Sequence, residues 1–570
     1  MEAAMPKARV QRIKNNYYVY IETSHRVPGR NYPDHKRLYI GTMNDSVFKP
    51  NAKFFALSDE QKKATGLEWD PQISEEPKKR GRPFSSLVGS RKFRGTDLLF
   101  STIADSLGLQ SDLKKVFGER APALLSVAYY LIANPEAALY RFGQWARLRY
   151  HPYGADLPSP RSSELFGSIT EDEIQRFLNL RILRAAGVTR WLAVDTTSIS
   201  SYSEALSLVA KGHNKEHDHL DQVNLLIVFD QDHDIPVFYR TLRGNITDVA
   251  TVQTTLHDLR GLGLEGASLV LDRGFYSDDN VKQLLKKRYA FTMGTRNSLL
   301  FVRQAIEQCR DSMLSVDSYD IEHKVFHAMV PVSYAIPVRG RGPHSKDAYL
   351  HLYWSKEREA NEITSFMKRL ADMRRRVASG ELPASLKAIE RYFTITRNKR
   401  GNITSFTENT DAIKEEMNRC GFFALLASDT YLTSSEVLSI YRHKDRAEKA
   451  INNIKDRLAS SRTRCSKDEN FNGKVFVQFV GLTIISHIRK IMKEAELYKK
   501  HSYRQLLDEV DVIEYFEYPG KAGHWGEVTL KQAQMLRAFN AELPLTVWPK
   551  LIQKEILKEQ KAKKKITKTV

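Results

Sequence analysis

Two short apolar runs in this sequence each end in an aspartate. The first is WLAVD, which ends at Asp195, and the second is LVLD, which ends at Asp272. A single aspartate at a strand end often caps the next turn, but two such runs predict neighbouring strands of one sheet that bring two carboxylates together. Like charges at short range raise each other's pKa. Because Mg²⁺ binds carboxylate oxygens, the pair predicts a metal site.

The segments around these aspartates predict a mixed α/β domain. Apolar runs predict strands, and apolar residues at intervals of three and four predict helices. The predicted order is strand, strand, strand, helix, strand, helix, strand, over residues 190–200, 222–230, 234–244, 247–263, 269–272, 279–287 and 289–296. Gly274, just after the second aspartate, is expected to let the chain turn sharply.

A polar stripe on a later predicted helix carries a third acid. In YRHKDRAEKAINNIKDRL, the side chains of Tyr441, Lys444, Glu448 and Lys455 fall within roughly 60° of one another around a helix. A lone glutamate on a helix is most often a solvated residue with a partner one turn away. Here two lysines share its stripe, at positions where phosphates would lie beside a metal.

These features together resemble a known family. The order of elements is similar to that of the ribonuclease-H-like, or retroviral-integrase-like, fold. The motifs resemble those of DDE transposases of bacterial insertion sequences, in the group with a Tyr-Arg-Glu-Lys signature. The sequence departs from that signature at Lys444, which keeps the charge of arginine but loses its bidentate fork. KGHNKEHDHLDQV, LRGNITD and LDRGF also match, and residues 297–420 resemble the β-rich insertion of this group.

The resemblance implies a function and a set of roles. Two Mg²⁺ ions, replaceable by Mn²⁺, would be held by Asp195, Asp272 and Glu448, and would serve hydrolysis of DNA ends and their joining to target DNA. The implied partners are double-stranded DNA, both element ends and target, and further copies of the chain in a dimer or higher synaptic complex. Tyr441, Lys444 and Lys455 would hold phosphates. Arg273 would hold a phosphate or form a salt bridge.

Three other motifs have alternative interpretations. KKRGRP resembles an AT-hook, in which Arg80 and Arg82 would enter the minor groove of A·T tracts, although a basic linker explains it equally well. Trp354 lies in the insertion, where related transposases stack an aromatic ring on a flipped base, yet a tryptophan at strand spacing is usually a core residue. His213, His217 and His219 lack a cysteine partner, which disfavours a zinc site.

Composition supports a nucleic-acid partner and a reducing cytoplasm, and the resemblance implies a bacterial, nucleoid-associated location. The net charge is +20, and such an excess favours polyanions. The three cysteines are far apart, which argues against a disulfide framework. No signal peptide is expected at the N-terminus, and the apolar stretch 475–488 is interpreted as a buried helix because it is too short for a bilayer.

The chain is expected to divide into seven segments. These are a β-rich N-terminal unit (1–70), a basic linker (71–95), a helical DNA-binding region (96–188), the first part of the ribonuclease-H-like core (189–296), the insertion (297–420), the second part of the core (421–500) and a C-terminal region (501–570). Residues 550–570 are rich in lysine and are expected to form a frayed, solvated tail.

Two other functions remain open at this point. A structure-specific nuclease or resolvase on the same fold would share the carboxylates but would not transfer strands. A non-catalytic, domesticated DNA-binding protein would have lost carboxylates, whereas all three are present in the sequence.

Overall fold

The computed structural model describes residues 7–567, except 14–15, 26–32, 45–46, 70–89, 136, 186–189, 204, 213–219, 262–263, 265, 339–340, 381–386, 399–402, 445–461, 464 and 519–520. Several predicted site residues lie outside the described residues: Arg80, Arg82, His213, His217, His219, Glu448 and Lys455. The chain forms two compact units, Met1–Val88 and Gly89–Val570.

The first unit is a small antiparallel sheet with two short helices. Its elements are β1 (Ala8–Ile13), β2 (Asn16–His25), β3 (Asp34–Asn44), β4 (Val47–Pro50), α1 (Ala52–Phe55) and α2 (Asp59–Ala64). The strands pair in sequence order. Because side chains alternate across a strand, one face of the sheet buries Val19, Ile21 and Ile40 against Phe48 and Phe54.

The second unit begins with a strand and six helices. They are β5 (Ser90–Phe93), α3 (Gly95–Ser106), α4 (Leu109–Phe117), α5 (Ala121–Ala133), α6 (Phe142–Leu148), α7 (Ser159–Gly167) and α8 (Glu171–Ala185). Helix α5 has few polar residues and is buried along almost its whole length. A helix that is apolar on all sides must lie inside the protein.

A large sheet follows these helices. Its first elements are β6 (Trp191–Ser201), β7 (Gln222–Asp230), β8 (Ile235–Arg243), α9 (Asp248–Gly261), β9 (Ser268–Leu271), α10 (Asp278–Lys286) and β10 (Phe291–Thr295). Strand β9 pairs in parallel with both β6 and β10, while β7 and β8 extend the sheet antiparallel. The predicted order of strands and helices is confirmed here.

The insertion between β10 and the later helices adds strands to the same sheet. It contains α11 (Leu300–Cys309), β11 (Tyr319–Asp320), β12 (Val325–Val338), β13 (Arg341–Trp354), α12 (Lys356–Ser379), α13 (Lys387–Glu390), β14 (Phe393–Arg397), β15 (Ile403–Glu408) and α14 (Thr410–Asn418). The long β12–β13 hairpin joins the sheet because β13 pairs with β16 (Phe422–Ala427), which pairs with β10.

A smaller core lies under α12. Its buried side chains come from α12, α13, β14 and α14, with Tyr392, and are Phe366, Leu370, Val377, Ile389, Tyr392, Phe393 and Ile413. These side chains form a cluster apart from the main core, which joins the large sheet to the surrounding helices. The insertion therefore has two parts: a hairpin that belongs to the large sheet, and a helical part with its own core.

The last part of the chain contains one long buried helix, which packs against α5, α7 and β8. The last elements are α15 (434–444), β17 (Arg462–Thr463), α16 (Asp468–Glu494), α17 (Tyr503–Asp511), β18 (Glu514–Glu517), β19 (His524–Trp525), α18 (Leu530–Ala538) and α19 (Lys550–Thr567). Among the described residues, only α16 is long and apolar enough to cross a membrane, and 78% of its most apolar window is buried inside the protein. The expected burial is confirmed, but the expected short length is wrong, because the helix has 27 residues.

The expected frayed tail is wrong. Residues Lys550–Thr567 form a helix, and Ile552 at its start is 2% exposed. Arg537 of α18 donates hydrogen bonds to Glu555 and Glu559, each over 2.6 Å. The excess of lysine predicted charge repulsion within this segment. In the structure, the buried side chain of Ile552 and the two ion pairs of Arg537 hold the helix in place.

Candidate active site

Asp195 and Asp272 occupy neighbouring positions on two paired strands. In the parallel register of β6 and β9, Val194 lies opposite Leu271. Asp195 is the next residue of β6, and Asp272 directly follows the last residue of β9. Because facing residues of parallel strands point to the same side, this register is expected to bring the two carboxylates close together where β9 ends.

Helix α15 supplies the groups that contact Asp272. The Tyr441 hydroxyl donates a hydrogen bond of 3.0 Å to Asp272 Oδ1, and Lys444 Nζ lies 3.7 Å from the same oxygen. Burial raises the pKa of Asp272, but Lys444, the backbone N–H of Arg273 and Tyr441 together hold that pKa below its usual value of 3.8. Asp272 is therefore held in its charged form.

Lys444 is buried against Asp272, and the phosphate contact predicted for it stays a prediction. Its side chain is 3% exposed, whereas that of Asp272 is 39% exposed. A buried ammonium must be paired to offset its desolvation, and Asp272 provides that charge. In this conformation Lys444 faces the carboxylate site and not the solvent.

Gly294 makes room for Tyr441 beside Asp272. A Cβ atom added at Gly294 of β10 would lie 2.5 Å from the Tyr441 hydroxyl oxygen and 3.0 Å from the backbone nitrogen of Arg273. Sequence reasoning did not identify this residue. The available signal was a glycine inside a predicted strand, which often marks the close approach of another group.

A third carboxylate, Asp248, contacts the residues that follow the two aspartates but forms no metal-binding group with them among the described residues. It begins helix α9 and accepts a hydrogen bond of 2.5 Å from the Thr196 hydroxyl, next to Asp195. A Cβ atom added at Gly274 would lie 2.9 Å from Asp248 Oδ2. Gly274 is not among the described glycines with positive φ, so the role expected for it in a sharp turn is replaced by one in close packing. Asp248 lies in the LRGNITD motif, but nothing in that motif indicated an acid at this site.

A groove of about 1200 Å³ leads from Asp272 to the insertion. Seven arginines and one lysine line it against four carboxylates. Its walls come from β10, α15 and α12. Such an excess of positive charge attracts a polyanion and concentrates it near Asp272.

Arg273 and Trp354 have different surroundings. Arg273 lines the groove, and its charge helps to lower the pKa of Asp272. Trp354 is half-buried at the end of β13, and its ring centroid lies 5.7 Å from that of Phe326. Phe423, with Arg358 placed 5.0 Å from its ring centre, is an aromatic residue that lines the groove. The DNA contacts predicted for Arg273 and Trp354 stay predictions.

The residues present fit a hard divalent cation, although the described part of the site is incomplete. Asp195 and Asp272 offer carboxylate oxygens, which are the ligands that Mg²⁺ prefers. Among the described residues there is no group of three His, Cys, Asp or Glu able to hold a metal ion. Glu448, the third predicted ligand, belongs to the segment 445–461 outside the described residues.

Comparisons with known proteins add independent findings. Residues 187–484, more than half of the chain, match the family model described as "Transposase DDE domain". No curated protein matches the chain. A cryo-EM structure of a piggyBac transposase synaptic complex with hairpin DNA is similar, with a TM-score of 0.31 and 11% identity, covering 73% of this chain and 76% of that one.

Proposed function

The chain belongs to the family of the transposase DDE domain and is a DNA transposase, and we propose that it mobilises the insertion sequence that encodes it. It binds the terminal inverted repeats of that bacterial element, cleaves the ends by metal-dependent phosphodiester hydrolysis and joins them to target DNA. The observation that supports this most is the register that sets Asp195 beside Asp272. The large mixed sheet is consistent with a ribonuclease-H-like core interrupted by a β-rich insertion.

The proposed metal site consists of Asp195, Asp272 and Glu448. Bound Mg²⁺, or Mn²⁺ in its place, supplies activation of the attacking oxygen and stabilisation of the leaving oxygen in an in-line displacement. Asp272 already has a low pKa, so its carboxylate is charged at neutral pH and ready to act as a ligand. Glu448 follows Lys444 by four residues in the sequence. This is the spacing at which two residues share one face of a helix, which supports the approach of Glu448 to the same site.

The chain's other residues orient the substrate and the ligands. Tyr441 and Lys444 act through Asp272, because both contact its Oδ1 atom. Lys455 binds phosphate, and Arg273 binds the strand in the groove that it lines. The groove leads DNA past the carboxylates, since its charge attracts the phosphate backbone without reading bases.

The assembly contains more than one copy of the chain. Joining two element ends to one target requires two active sites, so a dimer or a higher synaptic complex is proposed. The helices α3–α8 and the AT-hook-like motif with Arg80 and Arg82 contribute to end binding, and Trp354 to stacking on a base. The enzyme acts in the bacterial cytoplasm, at the nucleoid.

Cleavage of the element's own ends tests this function. The purified protein is incubated with Mg²⁺ and with DNA that includes the flanks of its own gene, and the cuts are mapped by primer extension. Paired cuts at the two inverted repeats, followed by transfer of the 3′-hydroxyl ends into plasmid DNA, are expected. Cuts at sites set by the shape of the DNA and not by the inverted repeats, without transfer of the 3′-hydroxyl ends, would instead identify a structure-specific nuclease or resolvase. Binding without any cut would indicate a domesticated DNA-binding protein.

A further inference from the structure

The first unit has a second sheet face that its core does not use. Residues that alternate with the buried ones point away from the core. They include Arg9 of β1, Tyr18 and Tyr20 of β2, Arg37 and Tyr39 of β3, and Lys49 of β4. These six residues, with Glu22 of β2 beside Arg37, define the open face. Three tyrosines from two adjacent strands lie on this face.

The tyrosines on the open face form a fixed cluster. The ring centroids of Tyr20 and Tyr39 are 5.6 Å apart, and those of Tyr18 and Tyr39 are 6.4 Å apart with the rings perpendicular. The Arg37 guanidinium lies 4.9 Å from the ring centre of Tyr20. Tyr20 is 7% exposed, whereas Tyr18 and Tyr39 are half-buried. Tyr20 therefore supports the other two rings, which remain accessible.

A hollow of about 580 Å³ opens between Tyr18 and Tyr39. Ile13 and Pro50 give it apolar walls, and Lys49 lies at its border. An apolar hollow with an aromatic ring on two sides and a cation at the rim suits a flat, apolar ring that is joined to an anion. A nucleotide has this chemistry, because every base has a face that stacks on aromatic side chains.

The charge of this unit matches such a ligand. Residues 1–88 contain sixteen Lys and Arg against ten Asp and Glu. On the open face, Glu22 pairs with Arg9 over 2.9 Å and with Arg37 over 3.3 Å. The single negative charge of Glu22 thus faces the positive charges of two arginines, and Lys49 adds a third positive charge. The face is positive overall and attracts phosphates.

We propose that the open face binds single-stranded nucleic acid, with bases stacked on Tyr18 and Tyr39 and phosphates held by Lys49 and Arg37. A duplex is a poorer fit. The major groove is about 12 Å wide and admits a helix or a two-stranded ribbon, whereas four strands at about 4.8 Å spacing span roughly 14 Å before side chains are added. Unpaired bases reach a flat sheet without that restriction. This inference concerns the first unit and does not rest on the proposed catalytic function.

Binding of a fluorescent oligothymidine of about 12 nucleotides to the full chain tests the proposal. Tyr18→Leu removes the stacking ring and is expected to weaken binding roughly five- to tenfold, whereas Tyr18→Phe keeps it unchanged. Lys49→Gln is expected to weaken binding and to reduce its salt dependence. Tyr17→Leu and Lys36→Gln, on the opposite face of the same strands, are matched controls expected to stay within about twofold.

Photo-crosslinking locates the bound strand on the same full chain. A 4-thiothymidine oligonucleotide is expected to crosslink to peptides from β2 and β3, and an oligouridine competitor shows whether the ligand is DNA or RNA. Wild-type affinity of both Tyr18→Leu and Lys49→Gln would overturn the proposal. Equal losses of affinity for single-stranded and for duplex DNA in these variants would also overturn it. So would crosslinks that lie only in the second unit. If Tyr18→Leu fails to fold, Lys49→Gln, which changes an exposed side chain, is tested alone. Wild-type affinity of Lys49→Gln would then overturn the proposal.

Discussion

Lys444 buries its ammonium group 3.7 Å from Oδ1 of Asp272, although Asp272 itself stays 39% exposed at its side chain. One charge is thus almost out of water while its partner faces the groove. The pair links α15 to the strand end that carries the carboxylate site.

A double-mutant cycle measures the Lys444–Asp272 interaction. With Lys444→Met and Asp272→Asn, we expect a coupling in the free energy of unfolding of roughly 1 kcal/mol at neutral pH, a modest value because solvent screens the exposed carboxylate. Asp272 has a folded-state pKa below 3.8. The coupling is therefore fully present above pH about 4 and is lost as the pH falls through the folded-state pKa. Urea unfolding at several pH values tests this, and a coupling near zero at pH 7 would contradict it.

Loss of any one carboxylate of the proposed metal site should stop cleavage. Asp195→Ala, Asp272→Ala and Glu448→Gln are each expected to reduce Mg²⁺-dependent strand cleavage to background while DNA binding survives, because the metal needs all of its ligands. Cleavage gels and a binding assay are run in parallel. Asp311→Ala, at an exposed acid in a turn, is the control. Near-wild-type cleavage by any of the three variants would show that the site is assigned wrongly.

Gly294→Ala should force Tyr441 away from Asp272. The new methyl group would lie 2.5 Å from the Tyr441 hydroxyl oxygen, and such overpacking costs about 1–3 kcal/mol of unfolding free energy. Removing the hydroxyl should relieve part of the clash, so Gly294→Ala combined with Tyr441→Phe is expected to be more stable than the sum of the single changes predicts. Chemical unfolding of the four proteins measures this, and strict additivity would argue against the contact.

Lys455→Ala should weaken DNA binding in a salt-dependent way. A lost phosphate contact lowers the slope of log K against log salt by about 0.9 for duplex DNA. Fluorescence anisotropy titrations over a range of salt concentrations give the slope. Lys554→Ala on helix α19 provides a lysine of the same charge as a control. An unchanged slope for Lys455→Ala would mean that this lysine does not touch the backbone.

Mild acid should loosen the attachment of α15 to the sheet. His351 of β13 is fully buried, its Nδ1 lies 2.9 Å from the hydroxyl of Ser434 at the start of α15, and burial lowers its pKa from 6.5 to about 4. Since the unfolded chain binds this proton more readily, the stability that neutral His351 provides is present above pH 6.5 and is lost as the pH falls toward 4.

The cost should reach up to about 1.4 kcal/mol per pH unit for this one group. Unfolding of the wild type and of His351→Asn is compared between pH 7 and 5. The wild type is expected to lose more stability than the variant over that range. His151 and His487 also have lowered pKa values, and both proteins share them, so they cancel in the comparison. Parallel curves would exclude a role for His351.

The sequence predicts the sheet and its two aspartates because a short apolar run that ends in a charge is a local pattern. Strands β6, β7, β8, β9 and β10 appear where those runs lie. The neighbouring registers of Asp195 and Asp272 follow from strand adjacency, which the resemblance to a known family also implied. This part of the site depends on information contained in a few consecutive residues.

The rest of the site depends on contacts between distant segments. Helical spacing placed Lys444 on a polar stripe, but only the packing of α15 against the sheet shows that its ammonium is buried. The space that Gly294 leaves for Tyr441, and the approach of Asp248 to Gly274, arise from segments far apart in the chain. Periodicity and charge counts carry no information about such close approaches.

The pairing of β13 with β16 limits how the groove can change its width. Six consecutive residue pairs, from Tyr349–Ala427 to Trp354–Phe422, join the insertion's hairpin to the strand beside β10. Such a ladder resists hinge motion, so the hairpin moves only together with the carboxylate-bearing sheet. Helix α12, on the other side of the groove, packs on a core of its own and is held to the start of β16 by the hydrogen bond of 2.8 Å that the Gly421 backbone N–H donates to Glu362, so the two walls of the groove are stabilised by different cores.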